Sequence, residues 1–171
     1  GKPNADDSKR PERALPKKKR VIIFSPHPDD DIISMGGTFQ RLVDQGHDVH
    51  VAYQTSGYIA VADDYALRFI EFVLDFNTQF NFESSGAMEI YNKAKAFVKS
   101  KKNSEREKDI LDLRYIKGMI RRGEAKATCR FVGIPEENIH FLNLPFYETG
   151  TAQKKPIAEE DISKIVALIE T

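Results

Sequence analysis

Val21-Ile22-Ile23-Phe24-Ser25-Pro26-His27-Pro28-Asp29-Asp30-Asp31-Ile32-Ile33-Ser34-Met35 is the stretch that sets the fold of this 171-residue chain. Its first five residues form a continuous, β-branched apolar run, the pattern of a strand buried on both faces. From Asp31 to Gln45 the spacing becomes helical. Ile32, Met35, Phe39 and Leu42 recur on one side, and Gly46 is placed to end the helix in the left-handed conformation. Asp48-Val49-His50-Val51-Ala52-Tyr53 then reads as a second strand. Strand, helix and strand with short connections make a βαβ unit, which implies a parallel sheet and a right-handed crossover. Gly36-Gly37 lies inside the predicted helix, where each glycine costs about 1 kcal/mol relative to Ala. Close packing of the helix backbone on the sheet is the expected reason.

Further along, Asp63 to Phe80 is helical, with Tyr65, Phe69, Phe72, Phe76 and Phe80 in one aromatic stripe. Such a stripe marks core or a subunit interface, so a homo-oligomer through 65–80 is one expectation. Residues 81–103 show weak periodicity and a basic patch, and read as a mobile surface segment. Ser104-Glu105-Arg106-Glu107 has the form of a capping box, opening a long helix that Gly133 and Pro135 end. A third strand is expected over 139–144 and an amphipathic helix over 159–170. The fold class is therefore α/β: Rossmann-like, three-layer α/β/α, with a mainly parallel sheet.

The chain has 26 Lys+Arg and 26 Asp+Glu, so no global field draws it to nucleic acid or an anionic membrane. Its apolar runs are too short to span a bilayer. The opening residues are polar and basic, unlike a signal peptide. Cys129 is the only cysteine, which excludes an internal disulfide and a cysteine-based zinc site. A cytoplasmic setting is expected. Residues 1–19 are charged, carry Pro3, Pro11 and Pro16, and hold almost nothing apolar. They read as a linker before one domain over 20–171.

The chemistry concentrates in Ser25-Pro26-His27-Pro28-Asp29-Asp30-Asp31, between the first strand and its helix. In open α/β sheets, ligands bind beyond the carboxyl ends of the strands, where this loop must lie. One imidazole and three carboxylates in five residues form a donor set suited to zinc, with a carboxylate to spare as general base. Helix capping explains one or two aspartates. It leaves a repulsion that a cation would relieve. Among the other histidines, His47 reads as a turn residue, His50 as a packed or surface side chain, and His140 as lying at the wrong end of the sheet to join His27. Cys129 reads as a small core residue.

Pro26-His27-Pro28-Asp29-Asp30 with Gly36-Gly37-Thr38 resembles the signature of the LmbE-like, or GlcNAc-phosphatidylinositol deacetylase (PIG-L), family. Thr55-Ser56-Gly57, Arg121-Arg122-Gly123-Glu124-Ala125 and Phe141-Leu142-Asn143-Leu144-Pro145 resemble its later motifs. The whole is most similar to such a domain fused behind a bacterial glucosamine-6-phosphate deaminase. The resemblance implies a zinc-dependent N-deacetylase acting on an N-acetylglucosamine-type amino sugar. His27 and Asp30 would be zinc ligands, Asp29 the general base, and Arg121 and Thr55 substrate-binding residues. The family's third ligand is a later histidine. No such motif follows His140, so the domain is expected to lack its C-terminal part, with no third ligand identifiable in this chain. Phe146-Tyr147 stands where many members place an aspartate. The alternative is a non-catalytic regulatory or oligomerisation appendage of the deaminase.

Overall fold

The computed structural model describes residues 17–100, 110–147 and 155–170. Strand β1 (Arg20–Ser25) leads through the His27 loop into helix α1 (Asp30–Asp44), and Gly46, at φ 72°, turns the chain into β2 (Asp48–Tyr53). A 3-10 turn at Tyr58–Ala60 precedes α2 (Asp63–Gln79), α3 (Ser85–Ser100) and α4 (Leu111–Val132). Strand β3 (Ile139–Phe141), a second short turn at Pro145–Tyr147 and α5 (Glu159–Glu170) complete the described chain. The three strands lie in the order β1-β2-β3 and are all parallel. Ser25 pairs with Tyr53, and Tyr53 with Phe141. The carboxyl ends of all three strands thus meet at one edge, as the Rossmann-like α/β reading requires.

Two cores hold these elements. In the first, Ile23, Val49, Val51 and Tyr53 from one sheet face pack on Phe39 of α1 and on Ala125, Cys129 and Val132 of α4. The second joins Val61, Ala66 and Ile70 to Ala94 of α3 and to Leu113 and Ile120 of α4. Helix α4, 22 residues long, belongs to both, which places its middle turns beside the sheet's carboxyl edge. Gly133, at φ 96°, ends it in the left-handed conformation. Cys129 is fully buried, as its small apolar role demands.

Several expectations are corrected. Residues 85–100 form a helix, not a mobile segment: Ile90, Tyr91, Ala94, Phe97 and Val98 make an i, i+1, i+4, i+7, i+8 stripe against the second core. Phe24 is 38% exposed, so β1 is not buried on both faces. Among the described residues it is an edge strand, and Ile22 and Phe24 point away from the helix-covered face. Met35 leaves helical geometry at φ −146°. A Cβ on Gly36 would meet only the Ile32 side chain, and one on Gly37 nothing within 4 Å. The glycine pair therefore follows a kink and does not serve close packing. The aromatic stripe of α2 is not core either: Phe72 is 65% exposed, and the buried face belongs to Ala66 and Ile70. Strand β3 is shorter than expected. The capping box at 104–107 and most of the linker lie outside the described residues, while Lys17, Lys18 and Lys19 are exposed. No described helix is long and apolar enough to cross a membrane.

Candidate active site

The loop after β1 is tied down from beneath. The Ser25 hydroxyl donates to the His27 carbonyl at 2.6 Å and accepts from the Asp31 N–H at 3.0 Å. Asp31 is 2% exposed, and its second carboxylate oxygen accepts the Tyr53 hydroxyl at 2.9 Å. Burial pushes the Asp31 carboxyl up, while the Tyr53 bond acts in the opposite direction. The Tyr53 phenol is itself driven up by burial. Burial likewise raises the Cys129 thiol, which lies 3.4 Å from the Tyr53 oxygen.

The three consecutive aspartates therefore do not share one space. Asp31 turns into the core. Asp30 accepts both the His27 backbone N–H at 3.0 Å and a contact from its ring Nδ1 at 2.9 Å. Asp29 occupies the N-cap position of α1, yet its side chain makes no capping bond. It meets Arg121 Nη2 of α4 at 2.8 Å. The repulsion that the sequence pointed to is thus relieved in part by a guanidinium from a distant helix and by separation of the carboxylates.

Arg121 also pairs with Glu124 and reaches the Pro28 carbonyl at 3.4 Å. Its position depends on the Thr55-Ser56-Gly57 turn. Thr55 is 4% exposed and donates its hydroxyl to the Pro26 carbonyl at 2.8 Å. Gly57 adopts φ 64°, and a Cβ there would lie 2.8 Å from Pro28 Cδ and 3.4 Å from Arg121 Nε. Only glycine admits this approach. Gly118 of α4 lies against Ser56 in the same packing. His27, Asp29, Thr55, Ser56, Gly57, Tyr58 and Arg121 then line one cavity of about 360 Å³.

All five residues singled out from the sequence gather here: His27, Asp29, Thr55 and Arg121 on the cavity wall, and Asp30 against His27. The pattern did not reveal Tyr58, which closes the wall beneath Arg114 (4.9 Å from its ring centroid). The remaining histidines stay apart. His47 Nδ1 accepts the Lys19 N–H, as befits a turn residue. His140 is not at the wrong end of the sheet, because short β3 begins opposite Val51 and places it beside Ala52. It is engaged elsewhere, 3.1 Å from His50 across the strands.

Imidazole and carboxylate are donors that zinc accepts, so His27 and Asp30 suit a divalent cation in kind. In number they supply two ligands. Among the described residues no cluster of three or more His, Cys, Asp or Glu could hold a metal.

A parallel α/β sheet carrying an imidazole–carboxylate loop at its carboxyl edge defines a class of sites suited to hydrolytic chemistry. The model of the GlcNAc-PI de-N-acetylase (PIG-L) family matches residues 22–170, and the chain belongs to that family. A glucosamine-6-phosphate deaminase-like protein of Bacteroides thetaiotaomicron is 54% identical over 170 residues, 99% of this chain and 25% of that protein. A diacetylchitobiose deacetylase of Thermococcus kodakarensis is 42% identical over 45 residues, 26% of this chain and 17% of that protein. The chain thus spans a quarter or less of the length of these relatives. No solved structure matches it significantly. Family and second relative both point to deacetylase chemistry.

Proposed function

We propose that this chain carries a zinc-dependent N-deacetylase site for an N-acetylglucosamine-type amino sugar. The observation that carries this reading is the convergence of His27, Asp29 and Arg121 on one cavity, with Asp30 held against His27. His27 and Asp30 are the residues that would hold zinc. When bound, the ion supplies Lewis-acid polarisation of the acetamide carbonyl and a more acidic water. Asp29 accepts a proton from the attacking water at a carboxylate oxygen. It then delivers a proton to the amine nitrogen as the C–N bond breaks, so acetate and free amine leave. Arg121 fixes the Asp29 carboxylate through their 2.8 Å ion pair. Together with Thr55, Arg121 is assigned to the sugar. The test is acetate release from N-acetylglucosamine and diacetylchitobiose with added zinc, before and after chelation. Release that chelator abolishes and zinc restores supports the reading, and no release at any zinc concentration opposes it.

The exposed stripe of α2 favours a second reading, a non-catalytic docking or oligomerisation module of a larger amino-sugar enzyme. Phe72, Phe76 and Phe80 lie on its open face. Light scattering distinguishes a monomer from a self-associated chain.

A further inference from the structure

From the ring and charge pattern of α2 we infer that two copies of this chain pair through that helix, antiparallel and about a two-fold axis. This pairing rests on the oligomerisation reading above and gives it a geometry. The chemistry of the His27 cavity stands or falls separately. Tyr65, Phe69, Phe72 and Phe76 recur at intervals of four, three and four, the alternation of a coiled-coil seam. All four are exposed, while Ala66 and Ile70 hold the helix to the second core. The rings already lie against one another. Tyr65 meets Phe69 edge to face with centroids 5.2 Å apart, and Phe76 lies 4.7 Å from Phe80. Beside them runs an apolar groove of about 510 Å³, where Tyr65, Phe69 and Val73 join Ile90 of α3 and Met119 of α4. Half-exposed rings over this length leave on the order of 500 Å² of aromatic surface open. With the groove added, the patch reaches the size that marks an interaction site.

The flanking charges fit a second copy. Arg68 and Asp75 stand one heptad apart on the polar side of the stripe, both exposed. Arg68 lies over the Tyr65 ring at 6.0 Å, and neither residue has an ion-pair partner among the described residues. Two other acids of α2 are engaged: Asp63 pairs with Lys117, and Glu71 accepts the Tyr91 hydroxyl. An antiparallel second copy sets Tyr65 against Phe76 and Phe69 against Phe72, each contact made twice by symmetry. The same register puts Arg68 of each copy opposite Asp75 of the other. A parallel pair instead sets Arg68 against Val73 and Asp75 against Phe80, and leaves both charges unpaired on apolar side chains. The sign reversal about the middle of α2 is therefore complementary to itself, and only in the antiparallel sense.

A standard interface buries about 800 Å² per partner. The stripe and its groove lie near the lower end of that class, so pairing in the micromolar range is expected.

The test is sedimentation velocity of the 171-residue chain across a micromolar concentration series at low ionic strength, where charge pairs are least screened. The wild type is expected to show a reversible monomer–dimer equilibrium. Phe72→Glu, at an exposed position, is expected to keep its circular dichroism spectrum and stay monomeric. Arg68→Asp or Asp75→Arg alone sets like charges opposite one another twice and should weaken the dimer by about tenfold. The two together exchange the partners and should restore it. A wild type that stays monomeric throughout, the result if a different protein segment covers the stripe, overturns the inference and leaves the deacetylase reading intact. A dimer that survives Phe72→Glu lies on another surface and also overturns it. A dimer indifferent to the single reversals, or not restored by the double one, overturns the antiparallel register.

Discussion

Asp29 of the loop after β1 and Arg121 of α4 meet at 2.8 Å, with 43% of the Asp29 side chain exposed and 13% of that of Arg121. The cavity between them exists only because α4 crosses the carboxyl edge of the sheet. Arg121→Lys keeps the charge but gives up the fork that reaches Asp29, Glu124 and the Pro28 carbonyl together. Turnover is expected to fall by up to about 100-fold, the cost of a misplaced reacting group. Steady-state acetate release measures it, and full activity in the lysine variant contradicts a positioning role.

Gly57→Ala places a methyl group 2.8 Å from Pro28 at a left-handed backbone position. The conformation alone costs about 1–2 kcal/mol, and displacement of Pro28 adds to it. Urea unfolding should show the loss, and sugar binding should weaken because Pro28 and Arg121 both move. An alanine variant of wild-type stability contradicts this packing.

Tyr53→Phe removes the hydroxyl that donates to buried Asp31. A loss of about 1–3 kcal/mol is expected for a buried acceptor deprived of its partner. Because that bond works against the raised pKa of Asp31, its removal should raise the carboxyl further. Denaturation of both proteins, with NMR titration of the Asp31 carboxyl, tests both effects.

His140 has its pKa lowered from 6.5, by burial first and then by His50. The unfolded chain therefore binds the proton more readily than the folded chain between the lowered value and 6.5. Stability is expected to be full above this window and to fall as pH drops through it. His140→Gln should flatten the dependence in that interval, and an identical pH profile in the variant contradicts the assignment.

The βαβ start was legible because local pattern and tertiary role agree there: β-branched Val21–Ile23 in a strand, a stop glycine at 46, alternation in Asp48–Tyr53. The donor content of the His27 loop, one imidazole beside three carboxylates, was legible from residue types alone. Its wiring was not, since neither the burial of Asp31 under Tyr53 nor the capture of Asp29 by Arg121 leaves a local trace. Helix α3 was missed because its buried positions are filled by small or mixed residues such as Ala94 and Tyr91 among lysines, which dilutes the helical period. Sequence spacing likewise could not tell that the aromatic stripe of α2 flanks its buried face and does not form it, since both repeat at helical intervals.

The most direct measurement is zinc bound per chain and acetate released from N-acetylglucosamine, taken on the same samples of wild type and Asp29→Asn. Equal zinc in both, with acetate release reduced by about 10²- to 10⁴-fold in the variant, is the predicted result for a general base that is not a ligand. Undiminished acetate release in Asp29→Asn, or zinc lost together with the carboxylate, would contradict the account.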